Sequence, residues 1–531
     1  VHNETASLVR RTLGTTPPFR HNKYYELELA SLAKLAKRSG VVRWARRRVV
    51  KGYGGALRRR YEKAMESLNV DGGVDRRDKS ISAFLKAEKF NPLAKPSKPR
   101  MIMARTPRFN LELSSYLKPL EHFLWDVIGT RREEALSGRK SCSDNPTRQV
   151  GKGLNAVSRA RILEEKMENI PNCVVFEVDG KAFEAHVSQE SLMREHAIYM
   201  AAYKGDRNLK RLLDTQLVLK GRTDCGIKFR RDGARASGDF NTGMGNTLIM
   251  LACCRAALRL AVDELKTEFR YDILADGDNC LIFVENTSAE WLHENFARLA
   301  STVCEQELAV ESPVRNLSEV VFGQSRPCLV GSPDGITLPD SRVFCKAPRV
   351  WALGRWTWTA RPDAETLMTK VYRHWRMVRD PLKTLSYSYS SYRHYNHYEK
   401  HGRKVLKAVS QCELALSRGV PVLQSYFAEA LSRFEGDPDL KNPQIFLEGR
   451  LLEAAWALGG RVQTWEVTED ARRTFEEAWG ISREEQIQIE RDIKKYVNFP
   501  RTQECFALVE VQDGPDGGDP RSIEDFLGEL Y

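Results

Sequence analysis

The stretch YDILADGDNCLIFVE, residues 271–285, places an Asp-Gly-Asp turn between two apolar runs. Two such runs joined by Asp-Gly read as a β-hairpin with Asp278 at its tip. A hairpin tip is also where a carboxylate can project from a rigid sheet. The stretch leaves two readings open, a polar turn residue or a ligand for a divalent cation.

Upstream, VVFEVD at 174–179 reads as a strand ending in a second acid, Asp179. A helix is expected after Ser188, and another after SGDFNTG, running through NTLIMLACCRAALRLAVDEL. An amphipathic helix is expected near Trp291 to Leu308. Strand, helix, helix, hairpin and helix in this order predict an α+β fold. From about residue 342 the chain reads as mostly helical, ending in an acidic, Gly/Asp/Pro-rich tail from Asp513.

The bulk numbers exclude several classes. With 531 residues, 42% hydrophobic and 29% charged, the chain is too balanced for wholesale disorder and too polar for a membrane bundle. Its longest apolar stretch, TLIMLACC, stops at Arg255, too short to span a bilayer. Eleven cysteines without C-x-x-C spacing read as buried thiols in a reducing compartment. The first residue, Val1, suggests a processed product or a fragment. A net charge of +12 favours a polyanionic partner.

That charge is concentrated. Lys34 to Arg60 carries eleven Lys or Arg residues and no acid, a run suited to an RNA backbone, an anionic membrane surface or plain solvation. Farther on, KPSKPRMIMARTPRFN spaces Lys98, Arg100, Arg105 and Arg108 on extended or looped backbone before a helical stretch. Lys98, Arg100 and Arg105 are the leading candidates to contact a nucleoside triphosphate, through compact charge and guanidinium forks. YRHYNHYEKH supplies His394, His397 and His401, which on a helix could meet a zinc ion but more simply face solvent or RNA.

Asp179 and Asp278, each ending an apolar run, fit a pair of carboxylates that clamp two divalent ions for phosphoryl transfer. Here the chain resembles the RNA-dependent RNA polymerases of positive-strand RNA viruses, in local wording closest to tombusvirus-like replicases. VDGKAFEAHVS resembles their motif A, ARASGDFNTGMGNTLIM motif B and ADGDNCLIF motif C. KPRMIMARTPRFNLELSSYLKPLEH is similar to the basic fingers motif, and VVFGQSRP to the segment bordering the primer.

The resemblance implies a right-hand polymerase: a basic N-terminal region at 1–80, fingers at 81–173, a palm of antiparallel sheet on helices with an interleaved fingers segment at 174–335, and a mostly helical thumb with the acidic tail at 336–531. It implies Asp179, Asp278 and Asn279 as catalytic metal ligands for Mg2+ or Mn2+. Ser237, Thr242 and Asn246, with Glu184, would orient the ribose and test its 2′-hydroxyl, where a lost hydrogen bond rejects a deoxy analogue. Gly238 and Gly243 would let the template loop move or approach closely. Implied partners are RNA template and product, ribonucleoside triphosphates and, through the basic region, a host membrane or viral replication proteins. The implied setting is a replication complex in the host cytoplasm, associated with membrane.

Four departures stand out. Asn279 replaces the usual second Asp of motif C, and Glu184 the usual Asp of motif A. Residues 285–316 contain no lysine where relatives often place a proton donor. Between forty and fifty residues, including APRVWALGRWTWTARP, separate the primer-bordering segment from the thumb-like RMVRDPLKTLS at 376–386. Asn279 and the missing lysine are the best support for an alternative, a weak or inactive RNA-binding scaffold. Asn246 argues against a reverse transcriptase.

Overall fold

The runs flanking the Asp-Gly-Asp turn form the expected hairpin. The computed structural model describes residues 2–86, 99–331, 373–379, 381, 398–441, 443, 447 and 449–496. In chain order its strands are β1 (Ile81–Leu85), β2 (Met101–Ala104), β3 (Cys173–Gly180), β4 (Val218–Thr223), β5 (Lys228–Asp232), β6 (Tyr271–Asp276), β7 (Asn279–Glu285), β8 (Leu308–Val310), β9 (Ser325–Gly331) and β10 (Arg373–Arg379). They build sheets of order β2-β1-β4-β5, β6-β7-β3-β8 and β10-β9. With the helices between them, the fold is α+β.

The described residues divide into two compact units, one of residues up to 152 with 169–313, the other of 153–168 with those from 314 to 496. The first holds the hairpin. Its sheet β6-β7-β3-β8 is antiparallel throughout, and the long apolar runs of β3, β6 and β7 are buried because helices Thr242–Leu265 and Asn286–Val303 pack against it. Phe176, Val178, Ile282 and Val284 share one core with Leu248, Leu251, Phe296 and Leu299. Helix Thr242–Leu265 is buried on every side from Met244 to Leu258, so its sequence reads as a nearly continuous apolar run. Helix Gln189–Ala202 starts where expected, the Ser188 hydroxyl accepting from Ser191 N.

The other sheet of this unit pairs β1 with β4 in parallel and is otherwise antiparallel. Nothing in the local sequence marks β4 and β5 as strands. VLKGRT and KFRRD are short and polar, and only burial of Leu219 and Phe229 with Ile81, Ala83, Met101 and Met103 makes them strands. Helix Pro107–Val127 follows β2, with Thr106 as its N-cap and proline in its first turn.

The helix expected near 291–308 runs instead from Asn286 to Val303. Cys304 turns extended, and Leu308–Val310 joins the sheet edge opposite Val178–Gly180. In the second unit, β9 and β10 pair antiparallel beside helices Tyr398–Ser417, Leu423–Ser432, Glu469–Trp479 and Arg483–Tyr496. Arg376, the first residue of the thumb-like stretch, lies on β10 and is buried. Most of the aromatic, basic insertion, His394, His397, the His401 side chain and the acidic tail lie outside the described residues.

Candidate active site

The register of three strands brings the acids together. Asp179, next to last in β3, lies opposite Asn279, the first residue of β7. Asp276 pairs with Asn279 across the hairpin, leaving Gly277 and Asp278 as its turn. Gly277 has φ +72°, a backbone that a residue with a Cβ reaches only with strain, so glycine lets the chain reverse in two residues. Two hydrogen bonds hold the tip: Gly180 N donates to Asp278 O at 2.9 Å, and Gly277 N to Thr247 Oγ1 at 2.9 Å.

The carboxylates repel one another in a partly dry setting. Burial pushes the Asp278 carboxyl up from its ordinary range, and the charges of Glu184 and Asp179 add to it. Asp179 is pushed up in the same way by burial, Glu311 and Glu184. The Arg100 guanidinium acts on both in the opposite direction, stabilising their ionised forms. Ala182, at φ +46°, turns the chain after β3 so that Glu184 joins this group.

Beneath them, Asn279 Nδ2 donates to Glu177 Oε1 at 2.9 Å. Burial, reinforced by the charges of Asp179 and Glu311, raises the Glu177 carboxyl to about 7 despite that bond. Sequence reading missed Glu177, although its position two residues before Asp179 puts both on one strand face. It also missed Lys152, whose Nζ lies 2.8 Å from Asp276 Oδ1. Pairing of Val150 with Ala275 along the β6 edge carries that lysine to the hairpin, and nothing local in the sequence signals it.

The SGDFNTG loop is strapped to β2. Met103 N donates to Ser237 Oγ at 3.2 Å, Ser237 Oγ donates to Met101 O at 3.2 Å, and Gly238 N donates to Met103 O at 2.8 Å. A Cβ on Gly238 would lie 2.7 Å from Met103 O, so glycine here serves close approach. Thr242 Oγ1 donates to the carbonyls of Ala236 and Asp239, closing the loop on itself. Gly243 abuts the Lys152 side chain. Asn246 is buried in the first turns of helix Thr242–Leu265, its Oδ1 without a protein partner. A buried acceptor left unpaired by the protein is open to a water molecule or a bound group.

The basic candidates separate. Arg100, exposed just before β2, faces the acids electrostatically. Arg105, a candidate to contact the triphosphate, is instead buried in an ion pair with Asp239 and also donates to Lys79 O and Thr215 O. Its guanidinium is consumed inside the protein. Lys98 lies outside the described residues.

The model that describes viral RNA-dependent RNA polymerases matches residues 3–343 and 366–498. The chain belongs to that family. It is similar to the RNA-directed RNA polymerases of turnip crinkle virus (30% identical over 81% of this chain and 48% of the relative), melon necrotic spot virus (29%, 93% and 56%) and tomato bushy stunt virus (28%, 84% and 46%). These relatives place it in the tombusvirus-like group, and the chain spans about half the length of the curated relatives it matches. Among the described residues no three or more His, Cys, Asp or Glu side chains form a metal cage. The acids still fit a hard divalent ion, because magnesium takes one or two carboxylates and fills its remaining positions with water and substrate phosphate.

Proposed function

We propose that this chain is the catalytic part of an RNA-dependent RNA polymerase that replicates a viral RNA genome by nucleotidyl transfer from ribonucleoside triphosphates. The observation that carries the reading is the convergence of Asp179 and Asp278 on paired strand ends, with Arg100 facing both. In this reading the palm, at 174–335, is built on the hairpin sheet and its helices and carries an interleaved fingers segment. Residues 81–173 are the fingers and residues from 336 the thumb.

Asp179, Asp278 and the Asn279 side-chain oxygen would hold Mg2+ or Mn2+, which supplies charge neutralisation and activation of a 3′-hydroxyl attacking the α-phosphate. Unlike an aspartate, Asn279 brings no charge, and its amide is held by Glu177. Arg100, with Lys98, grips the triphosphate and steadies charge on the departing pyrophosphate. Asn246 offers its unpaired oxygen to the ribose, and Glu184 closes the other side of that test. Ser237 and Thr242 set the loop that presents Asn246. They do so through backbone contacts.

Proposed partners are RNA template and product, ribonucleoside triphosphates, and viral replication proteins or a host membrane in a cytoplasmic replication complex. Among the described residues no helix is long and apolar enough to cross a membrane. Primer extension with ribo- and deoxynucleoside triphosphates tests the function. Ribonucleotide incorporation that disappears in folded Asp278→Ala is expected. RNA binding with no incorporation by the natural chain would establish a scaffold instead.

A further inference from the structure

The basic run at 34–60 folds into a surface with two kinds of arginine. Helices Arg46–Lys51 and Gly55–Val70 bury Val49, Val50, Ala64 and Leu68 against Leu111 of helix Pro107–Val127. Arg43 and Arg46 turn inward and share the buried carboxylate of Glu112, at 2.6 and 2.8 Å. Arg48 lies over the Trp44 ring at 3.9 Å, and Arg58 pairs with Glu62. Those four are structural.

Arg47, Lys51, Arg59, Arg60 and Lys63 are different. All five are exposed. Arg47 and Lys51, and likewise Arg59 and Lys63, stand four residues apart on their helices, so each pair shares a face. Such spacing makes a cationic ridge on a rigid base, whereas a disordered tail would present the same charges without geometry.

A membrane-inserting helix turns its apolar stripe and aromatic residues outward. Here the stripe faces the core, Tyr53 and Tyr61 stack on each other at 4.8 Å, and Trp44 is covered by Arg48 and packed beside His122. Among the described residues the exposed large apolar side chains nearby are Val42, Leu57 and, at the far end of the second helix, Val70, 77%, 47% and 83% accessible, scattered singly and too few to anchor a helix in lipid. We infer that the ridge formed by Arg47, Lys51, Arg59, Arg60 and Lys63 is a sequence-independent docking surface for an RNA phosphodiester backbone, separate from the catalytic acids.

The inference rests on the polymerase reading only for its partner, RNA. The test measures binding of a labelled single-stranded RNA of mixed sequence against salt, using the full chain, R59Q/R60Q/K63Q and R59K/R60K. Each neutralised phosphate contact should lower the slope of log affinity against log salt by about 0.7, so the triple variant should lose about 2. R59K/R60K should keep the natural slope, because lysine also meets phosphate. Circular dichroism and melting of the triple variant should match the natural chain, since the three side chains are exposed.

Asp278→Ala separates the two readings, because loss of incorporation with an unchanged salt slope keeps them independent. An unaltered slope in R59Q/R60Q/K63Q would overturn the docking surface while leaving catalysis untouched. Phosphatidylserine vesicles form the second arm. Vesicle binding that falls in the triple variant while its RNA slope stays natural would overturn the inference in favour of a membrane face.

Discussion

Asn279 and Asn246 are the residues at which this chain is most open to test. Asn279 Nδ2 is engaged with Glu177, and an aspartate there would face that carboxylate as a like charge. Asn279→Asp should therefore shift the concentrations of Mg2+ and Mn2+ needed for half-maximal incorporation. Initial rates across both metal series check this, and identical curves would exclude a role for Asn279 in metal choice. Asn246→Ala removes the buried unpaired acceptor. A hydrogen bond of about 1 kcal/mol corresponds to roughly fivefold in discrimination, so the ratio of kcat/KM for ribo- over deoxynucleotides should fall by at least that factor.

At the scale of elements, the tie between β2 and the SGDFNTG loop does the positioning. The Arg105–Asp239 pair is buried, Gln216 Nε2 also donates to Asp239 at 2.9 Å, and Ser237 and Gly238 fasten the same loop to Met101 and Met103. Arg105→Ala would leave Asp239 buried without its counter-charge, and should cost about 3–5 kcal/mol in urea unfolding. A loss under 1 kcal/mol would mean that the pair is not buried as described. Arg100 and Arg105 show the limit of sequence reading for basic residues. Both sit near the same short strand, yet one faces the acids and the other a buried carboxylate, a distinction made by Asp239 from far along the chain.

At the scale of the whole first unit, buried charge networks join distant segments. Arg255 donates to Glu133 and Gln149 and lies 3.5 Å from Glu28, which also pairs with Arg139. Glu195, Arg235 and Asn241 form another, beside His196. Burial lowers His196 to about 4, with neighbouring Arg235 adding to the effect. Its folded pKa is below the unfolded value, so the unfolded state takes up the proton first. Stability should be unaffected by this group above pH 6.5 and fall as pH drops toward 4, by about 2 kcal/mol between pH 7 and 5. His196→Gln should flatten that part of the pH profile in denaturant titrations.

Much of the site was legible because apolar patterning marks strands and helices locally. The runs 174–179 and 271–285, Ser188 as a helix start and the long helix after SGDFNTG all took their expected form. β4, β5 and β8 were not legible, since strands so short, whether polar like the first two or a bare Leu-Ala-Val, acquire their identity from partners. Lys152 was hidden for the same reason, and Glu177 was overlooked although period-two alternation exposes it.

By itself, the sequence determined the family, the order of the acid-bearing segments and the elements that carry them, because motif spacing and hydrophobic period are properties of neighbours along the chain. Tertiary structure alone decided which charges meet: Asp179 with Asp278, Arg100 with both, Arg105 with Asp239, Lys152 with Asp276. Coulomb attraction and the cost of burying an ion depend on distance and solvent access through space. Neither quantity is written in the spacing of residues along the backbone.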